Sequence, residues 1–194
     1  MGSYVLPKDF YTGDAAEVAR RLLGKLLVRV YRGVRLSGMI VEVEAYYGVE
    51  DPASRARRVG DLAKVIYGDV GVALVYGIHR QWLLNIVAHP PNRAGAVLIR
   101  AVEPIEGIEV MKRLRGVDDV KLLTSGPGRL TRAMAIDKSF HRKPIYTDEH
   151  GLWIEHFKEI SESQIARSFR IGVSEDLPTP LRFYVKGNPF VSRI

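Results

Sequence analysis

Two carboxylates and a phenol stand at alternate positions of one short segment, residues 39–46. A strand with this alternation has two faces. One face carries Ile40, Glu42, Glu44 and Tyr46, and the other carries Met39, Val41, Val43 and Ala45. Same-face neighbours stand roughly 7 Å apart, so Glu42 and Glu44 could form an acid/base pair, or either could be a lone general base beside an aromatic wall. The pattern alone favours a simpler interpretation, a solvated face of an amphipathic strand.

A basic loop follows this strand. Residues 48–52 contain glycine and proline, which end the strand, and the chain then carries Arg55, Arg57 and Arg58. Such a loop can hold DNA phosphates. Its position beside an acidic, aromatic face is unusual for plain surface, whereas three arginines in one loop are more often simply solvated. Both interpretations therefore stay open.

The composition narrows the class of partner. The chain has 194 residues, of which 46% are hydrophobic, a length that predicts one domain over 1–194. Its 29 Lys and Arg against 22 Asp and Glu give a net charge of +7, which favours nucleic acid over acidic small molecules. An accidentally basic soluble protein is the alternative. The chain contains no cysteine, which excludes disulfides, cysteine-based zinc sites and thiol nucleophiles.

The pattern of elements predicts an α+β fold with a curved antiparallel sheet, because long strands in hairpins occur with only three helices. No glycine-rich phosphate loop follows any predicted strand, which disfavours nucleotide-binding folds. The N-terminus lacks the apolar core of a signal peptide, and no apolar run is long enough for a membrane span. We expect an intracellular protein, in the cytoplasm or nucleoid. The predicted helices are 14–23, 105–115 and 127–136, and the predicted strands are 25–31, 34–46, 70–76, 81–89, 96–102, 152–157, 165–173 and 181–185.

Several ordered blocks of sequence resemble the alkyladenine (3-methyladenine) DNA glycosylase family. The first is Ile-Val-Glu-Val-Glu-Ala-Tyr-Tyr-Gly at 40–48, followed by Glu-Asp at 50–51. Further similar blocks are 75–77, 85–86, 97–107, 125–130, 135–140 and 181–192. The resemblance covers nearly the whole chain. It implies a single domain with a curved antiparallel sheet and peripheral helices, no metal and no organic cofactor, and damaged purines in double-stranded DNA as the substrate.

The resemblance also implies the chemistry. Glu44 would activate the attacking water, Arg100 would help to hold that water and the deoxyribose phosphate, and the backbone carbonyl of Val173 would bind the water. An arginine inside an apolar strand needs an anionic partner, so Arg100 could instead pair structurally with a residue such as Glu42. The carboxylate strand carries no lysine that could form a Schiff base, so we expect an abasic product without strand cleavage.

The remaining implied roles concern the base. Tyr46 would stack on the flipped base, and Leu98 would line its pocket. Tyr76, at the tip of a hairpin, would enter the duplex and fill the vacated space; an ordinary aromatic at the end of a strand is the alternative. Asn85 would sit against the purine edge and discriminate against the exocyclic amine of guanine. A hydrogen-bonded core amide is its alternative explanation.

The chain departs from the family pattern at the pocket. Arg55 occupies the position of the usual histidine opposite the stacking tyrosine, and Ala73 replaces a tyrosine three residues before Tyr76. The segment between the intercalating tyrosine and Asn85 is two residues longer than usual. A shift of the loop could bring His79 or His89 into the pocket. These differences leave the predicted fold unchanged and put the range of substrates in doubt.

Two rival functions remain from the sequence. One is a non-catalytic lesion-binding or nucleic-acid-binding domain on the same scaffold, which the presence of Glu44 and Arg100 disfavours. The other is a glycosidase that uses Glu42 and Glu44, which leaves the basic loop without a purpose. A glycosylase is the favoured interpretation, and we expect it to be a monomer.

Overall fold

The structure is a computed structural model that describes residues 5–193, so the expectation about a signal peptide concerns residues that lie partly outside this range. Eight strands and four α-helices occur within the described residues. The strands are β1 (Leu26–Tyr31), β2 (Val34–Tyr46), β3 (Ala73–Ile78), β4 (Gln81–Val87), β5 (Ala96–Glu106), β6 (Leu152–Glu155), β7 (Ile165–Ser168) and β8 (Arg182–Val185). The helices are α1 (Ala15–Leu22), α2 (Asp61–Ile66), α3 (Ile108–Arg115) and α4 (Pro127–Ala133).

All paired strands are antiparallel, which confirms the predicted α+β class with an antiparallel sheet. The strand order is β3-β4-β5-β2-β1-β6, with β7 paired to β8 and β8 paired to β2. Strand β2 therefore borders β5 on one side, and on the other side it borders β1 along its first half and β8 at residues 42–44. The backbone of this part of β2 is thus paired on both edges, and the segments that contain Ile171 and Ser192 lie against its buried carboxylates Glu44 and Glu42.

A bulge interrupts β2 at the start of its acidic stretch. Register shifts on both sides of Glu42 leave Val41 on β2 and Arg100 on β5 without a directly opposed residue in this pair. Such a bulge re-aims the neighbouring side chains. Ile40 consequently packs in the main core with Val43, whereas Val41 packs in a separate small cluster. The strict alternation predicted for 39–46 is therefore wrong before Glu42.

Helices cover the main core of the sheet. Helix α1 packs on β2, and α4 packs on β4 and β5. The Asp14 side chain caps α1 by accepting hydrogen bonds from two backbone N–H groups. Helix α3 ends at Gly116, whose φ of 67° suits glycine, and Pro127 occupies the first turn of α4, both as predicted.

Four local predictions are wrong. Strand β5 continues to Glu106, so α3 begins three residues later than predicted. The described residues contain a fourth helix, α2, where no helix was predicted. Strand β7 ends at Ser168 and not at residue 173, because Arg170 turns inward to bind the buried carboxylate of Asp51 and the partly buried one of Asp176. The tip of the β3–β4 hairpin is His79 and Arg80, with φ of 49° and 62°, so Tyr76 lies inside β3 and not at the tip.

No helix within residues 5–193 is both long and apolar enough to cross a membrane. Within the same range, histidine, aspartate and glutamate side chains form no group of three that could hold a metal ion.

Candidate active site

A cavity of about 610 Å³ opens between the basic loop, the β3–β4 hairpin, β5 and the chain that follows β7. We call it the base cavity. It brings together six of the eight predicted site residues, namely Tyr46, Arg55, Tyr76, Leu98, Arg100 and Val173. Val173 reaches the cavity because β7 ends early and lets residues 171–174 fold over the opening.

Glu44 lies directly behind the wall of the base cavity and is 0% exposed. Its Oε2 accepts a hydrogen bond of 2.7 Å from the Tyr46 hydroxyl. Its Oε1 accepts one of 2.7 Å from the Ile171 backbone N–H and lies 3.4 Å from Arg100 Nη1. Because Tyr46, Ile171 and Arg100 all line the cavity, only these three groups that contact Glu44 are needed to connect its carboxylate to the cavity wall.

The surroundings of Glu44 make it a stronger base than an ordinary glutamate. Burial raises the pKa of Glu44, and the Arg100 guanidinium, the Ile171 N–H and the Tyr46 hydroxyl offset only part of that effect. An ionised carboxylate with a raised pKa accepts a proton more readily. The group is therefore suited to general-base chemistry.

Glu42 is also 0% exposed, but its carboxylate is saturated with donors. Arg100 Nε donates to its Oε1 at 2.9 Å and Arg182 Nε donates at 2.8 Å. The Ser192 backbone N–H and hydroxyl add hydrogen bonds of 2.6 and 2.8 Å. Burial raises the pKa of Glu42, yet the Ser192 N–H and the two arginines outweigh it, so the pKa lies below its ordinary value.

These contacts decide between two interpretations of the acidic strand. The interpretation of a solvated face is wrong, because Glu42 and Glu44 are both fully buried. The structural pairing of Arg100 with Glu42 is present, and the same guanidinium also approaches Glu44. Arg100 thus bridges the two carboxylates, and its Nη1 and Nη2 remain directed toward Glu44 and Ser192.

The comparisons with known proteins agree with this arrangement. The family model described as methylpurine-DNA glycosylase matches residues 9–189. The chain belongs to this family. This confirms the resemblance to alkyladenine glycosylases found in the sequence.

Three relatives within the glycosylase family carry the name "Putative 3-methyladenine DNA glycosylase". The relative from Aeropyrum pernix is 48% identical to this chain, over 97% of the chain and 93% of the relative. The Salinibacter ruber relative is 41% identical over 96% of each chain. The Carboxydothermus hydrogenoformans relative is 41% identical over 97% of this chain and 99% of its own length.

Tyr46 is fixed by a buried ion-pair cluster that the sequence analysis missed. The Arg170 guanidinium lies 4.5 Å from the centre of the Tyr46 ring. Two hydrogen bonds of 2.7 and 2.8 Å join it to Asp51, and two of 2.6 and 2.9 Å join it to Asp176. Asp51 belongs to the Glu-Asp block at 50–51, so the family resemblance drew attention to this residue. Arg170 lies within the predicted strand 165–173, and nothing in the sequence indicated that it pairs with Asp51. Burial, and then the neighbouring Glu44 carboxylate, raise the pKa of Tyr46 well above its ordinary value, so the hydroxyl remains a donor.

Among the three arginines of the basic loop, Arg57 and Arg58 are exposed, in agreement with the solvated alternative, whereas Arg55 is half-buried and held in place. The Ser54 side chain caps a short 3₁₀ turn at Arg55–Arg57 and donates to the Tyr47 carbonyl at 2.6 Å. The Arg55 guanidinium then lies 5.0 Å from the centre of the Tyr76 ring. At the position where the resemblance implied a histidine, this chain thus places a half-buried cation against its hairpin tyrosine.

Asn85 is not among the residues that line the base cavity. Its side chain is 2% exposed and donates to the Leu74 carbonyl at 3.2 Å, which agrees with the core-amide explanation. Asn85 pairs with Leu98 across the sheet, and Leu98 pairs with Glu44. It therefore lies beside a residue of the cavity lining without being part of that lining, and its contact with the purine remains a prediction.

The structure separates the two histidines that could replace the usual pocket histidine. His79 is exposed and lines the base cavity. His89 is 7% exposed, and its ring nitrogens lie 2.8 and 2.9 Å from the carbonyls of Pro90 and Gly68, so it is fully engaged elsewhere. Ala73, at the second departure from the family, is buried in the main core.

Proposed function

We propose that this chain is a monofunctional DNA glycosylase, with 1–194 as one domain, that releases a damaged purine flipped out of double-stranded DNA. The observation that carries the proposal is Glu44, a buried carboxylate with a raised pKa directly behind a cavity with aromatic walls. Family membership and the net charge of +7 support DNA as the substrate.

The proposed reaction is a hydrolysis at the sugar. Glu44 takes a proton from a water molecule while the water oxygen forms a bond to C1′ of the deoxyribose. The bond between C1′ and the purine nitrogen breaks, and its electron pair leaves with the base. The position of Arg100 between Glu44 and Glu42 supports its role in holding the water and the deoxyribose phosphate. The Val173 carbonyl would bind the same water, since Val173 lines the cavity.

The cavity walls suit a flipped purine. Tyr46 offers a flat face that Arg170 and Glu44 hold still. Leu98 forms the apolar floor, and Asn85 lies next to it in the sheet. Tyr76, with the outer hairpin residues, would fill the gap left in the duplex. Alkylated adenine, hypoxanthine and ethenoadenine are the lesion classes proposed.

Hydrolysis without strand cleavage follows from the residues at the cavity. Among the described residues, those that line it include no lysine that could form a Schiff base with the opened sugar. We also propose a monomer, because one chain supplies every residue named for the site. A genomic substrate would place the enzyme in the cytoplasm or nucleoid.

The test uses end-labelled duplexes that carry hypoxanthine, ethenoadenine or 3-methyladenine. We expect base release that becomes visible as strand breakage only after alkali. Breakage without alkali would contradict a monofunctional enzyme. Tight lesion binding with no release on any of the three duplexes would contradict a glycosylase and would favour the non-catalytic lesion-binding domain.

A further inference from the structure

A second cavity, of about 550 Å³, lies on the other side of the β3–β4 hairpin. The hairpin forms a wall between the two cavities, because His79 and Gln81 line both of them. We call the second one the arginine cavity. Its charged and aromatic lining residues are Arg29, Arg80, Arg115, Arg132, Asp137, His79, Tyr31 and Trp82. Four arginines against one aspartate leave three positive charges in excess.

The arginines of this cavity are held by neutral groups. In the part of the chain that the structure describes, none of the four lies within 4.0 Å of a carboxylate oxygen. Three of them donate to backbone carbonyls at 3.0 to 3.4 Å. The acceptors are Ala135 and Gly151 for Arg29, Leu122 and Leu123 for Arg115, and Leu114 for Arg132. Carbonyls fix the direction of a guanidinium without cancelling its charge.

The excess charge is electrostatically unfavourable in the absence of an anion. Burial lowers the pKa of Arg29, and the neighbouring Asp137 carboxylate offsets only part of that effect. Burial, and then the neighbouring cations Arg129 and Arg132, lower the pKa of Arg115. An anion placed among these side chains would relieve the repulsion and would find donors that are already oriented.

An aromatic surface stands beside the cations. Trp82 is 37% exposed and lines the cavity. Its backbone carbonyl accepts a hydrogen bond of 2.8 Å from the Thr131 hydroxyl of α4. Gln81 packs against Gly128, where a Cβ would overlap the Gln81 side chain. The end of the hairpin next to its turn is therefore docked on α4, and Trp82 is held at the cavity.

We propose that the arginine cavity binds an undamaged nucleotide of the DNA that passes the outer side of the hairpin. Its phosphate would lie against Arg80 and Arg132, with Arg29 and Arg115 behind them, and its base would stack on Trp82. Positive grooves with aromatic platforms bind nucleic-acid strands in this way. The inference rests on the proposed function, because it assumes that DNA lies across the hairpin while the damaged base occupies the other cavity.

A fluorescence titration tests the occupancy directly. The chain has two tryptophans, and Trp153 is buried with its Nε1 donating to Glu155 at 2.7 Å. In a Trp153→Phe variant, Trp82 is therefore the single reporter. We expect an undamaged duplex to quench its emission in parallel with binding followed by the anisotropy of labelled DNA. Unchanged emission at saturation would overturn the proposal.

A second measurement tests the binding of phosphates. The double variant Arg80→Gln and Arg132→Gln should reduce the slope of log affinity against log salt by about 1 for each phosphate that the protein no longer binds. The matched control is Lys158→Gln, an exposed cation beyond β6. Replacement of both arginines by lysine should restore most of the slope, and circular dichroism checks that each variant is folded. A double glutamine variant that behaves like the Lys158→Gln control would overturn the proposal.

Neither titration involves base release, so the two proposals fail separately. If Trp82 responds to DNA and the double variant loses affinity, the arginine cavity is a nucleotide site even when no duplex loses a base. If bases are released but Trp82 and the salt slope do not respond, the proposed function stands and this inference falls. Quenching of Trp82 by inorganic phosphate alone, with no response to DNA, would also overturn the inference.

Discussion

Glu42 and Glu44 lie two residues apart on the same strand, and both are completely buried. Their surroundings nevertheless shift the pKa values of the two carboxyl groups in opposite directions. Glu42 receives four donors at 2.6 to 2.9 Å from Arg100, Arg182 and Ser192. Glu44 receives two at 2.7 Å and has a guanidinium at 3.4 Å. The pKa of Glu42 is lowered and that of Glu44 is raised.

The difference shows that burial alone does not make a carboxylate reactive. Burial raises the pKa of both groups, and the number and closeness of donors then decide the net direction. Glu42 joins β2, β5, β8 and the C-terminal segment, so its role is structural. Glu44, next to the base cavity, retains a raised pKa and is therefore the more basic carboxylate. Substitution of Glu42 should therefore mainly lower the free energy of unfolding. Substitution of Glu44 or of residues that line the base cavity should mainly change the rate of base release.

The largest expected effect is that of Glu44→Gln. The variant keeps the size and hydrogen bonding of the side chain but cannot take a proton, so single-turnover base release should fall by about 10²- to 10⁴-fold. Binding of a lesion duplex should remain largely intact. A variant that releases the base at nearly the wild-type rate would show that Glu44 is not the general base.

Glu42→Gln should mainly destabilise the fold. Loss of this charge leaves Arg182 without its buried carboxylate partner, and breaking a buried pair costs about 3–5 kcal/mol. The matched control is Glu106→Gln, whose half-exposed ion pair with Arg35 is worth at most about 1 kcal/mol. Denaturant unfolding measures both, and equal losses would contradict the structural role of Glu42. Base release by the folded variant should fall far less than in Glu44→Gln.

Tyr76→Ala probes the cavity side at the hairpin. Removal of one aromatic stacking interaction, worth about 1–3 kcal/mol, should reduce base release from a paired lesion about tenfold. The reduction should shrink for an unpaired or mismatched lesion, which is easier to extrude. Tyr76 lies inside β3 and not at the tip of the hairpin. Arg80→Ala, which removes a side chain at the tip itself, is therefore the variant to compare with Tyr76→Ala. Equal reductions on paired and unpaired lesions would argue against insertion of Tyr76.

Arg55→His should give the smallest effect, a change of substrate ratio. A fixed cation beside the base cavity disfavours cationic 3-methyladenine, whereas it can stack on a neutral purine and donate to the O6 of hypoxanthine. The wild type should therefore prefer hypoxanthine more strongly than the His variant does. Single-turnover release of both bases on matched duplexes gives the ratio. An unchanged ratio would mean that Arg55 serves only Tyr76 or DNA phosphate.

The sequence predicted the sheet, three of the four described helices and six of the residues that line the base cavity, because these depend on local patterning and on ordered family blocks. It failed where distant segments decide the geometry. The bulge at Val41 depends on pairing with β5, some 60 residues away, which alternation in a single segment cannot reveal. Arg170 looked like a strand residue, and only the fold brings it to Asp51 and the Tyr46 ring.

The tip of the hairpin was also beyond local analysis. Tyr76 precedes a glycine, which suggested a turn, but both strands continue past that glycine and the turn falls at His79 and Arg80. The same extension places Trp82 and Arg80 at the arginine cavity.

The pH dependence of base release tests the contrast between the two carboxylates most directly. The general base works in its ionised form, so the single-turnover rate on a hypoxanthine duplex should be constant near neutral pH. It should fall as the pH drops through the raised pKa of Glu44, above the value of about 4.3 for an ordinary glutamate. Glu42, with its lowered pKa, stays ionised across this range and contributes no inflection.

Glu42→Gln sharpens the same measurement, because the negative charge of Glu42 helps to raise the pKa of Glu44. Its removal should move the inflection to lower pH, with circular dichroism confirming the fold at each point. The account predicts an inflection above about pH 4.3 in the wild type that moves down in Glu42→Gln. A wild-type rate that stays constant down to that pH, or an inflection that Glu42→Gln leaves in place, would contradict it.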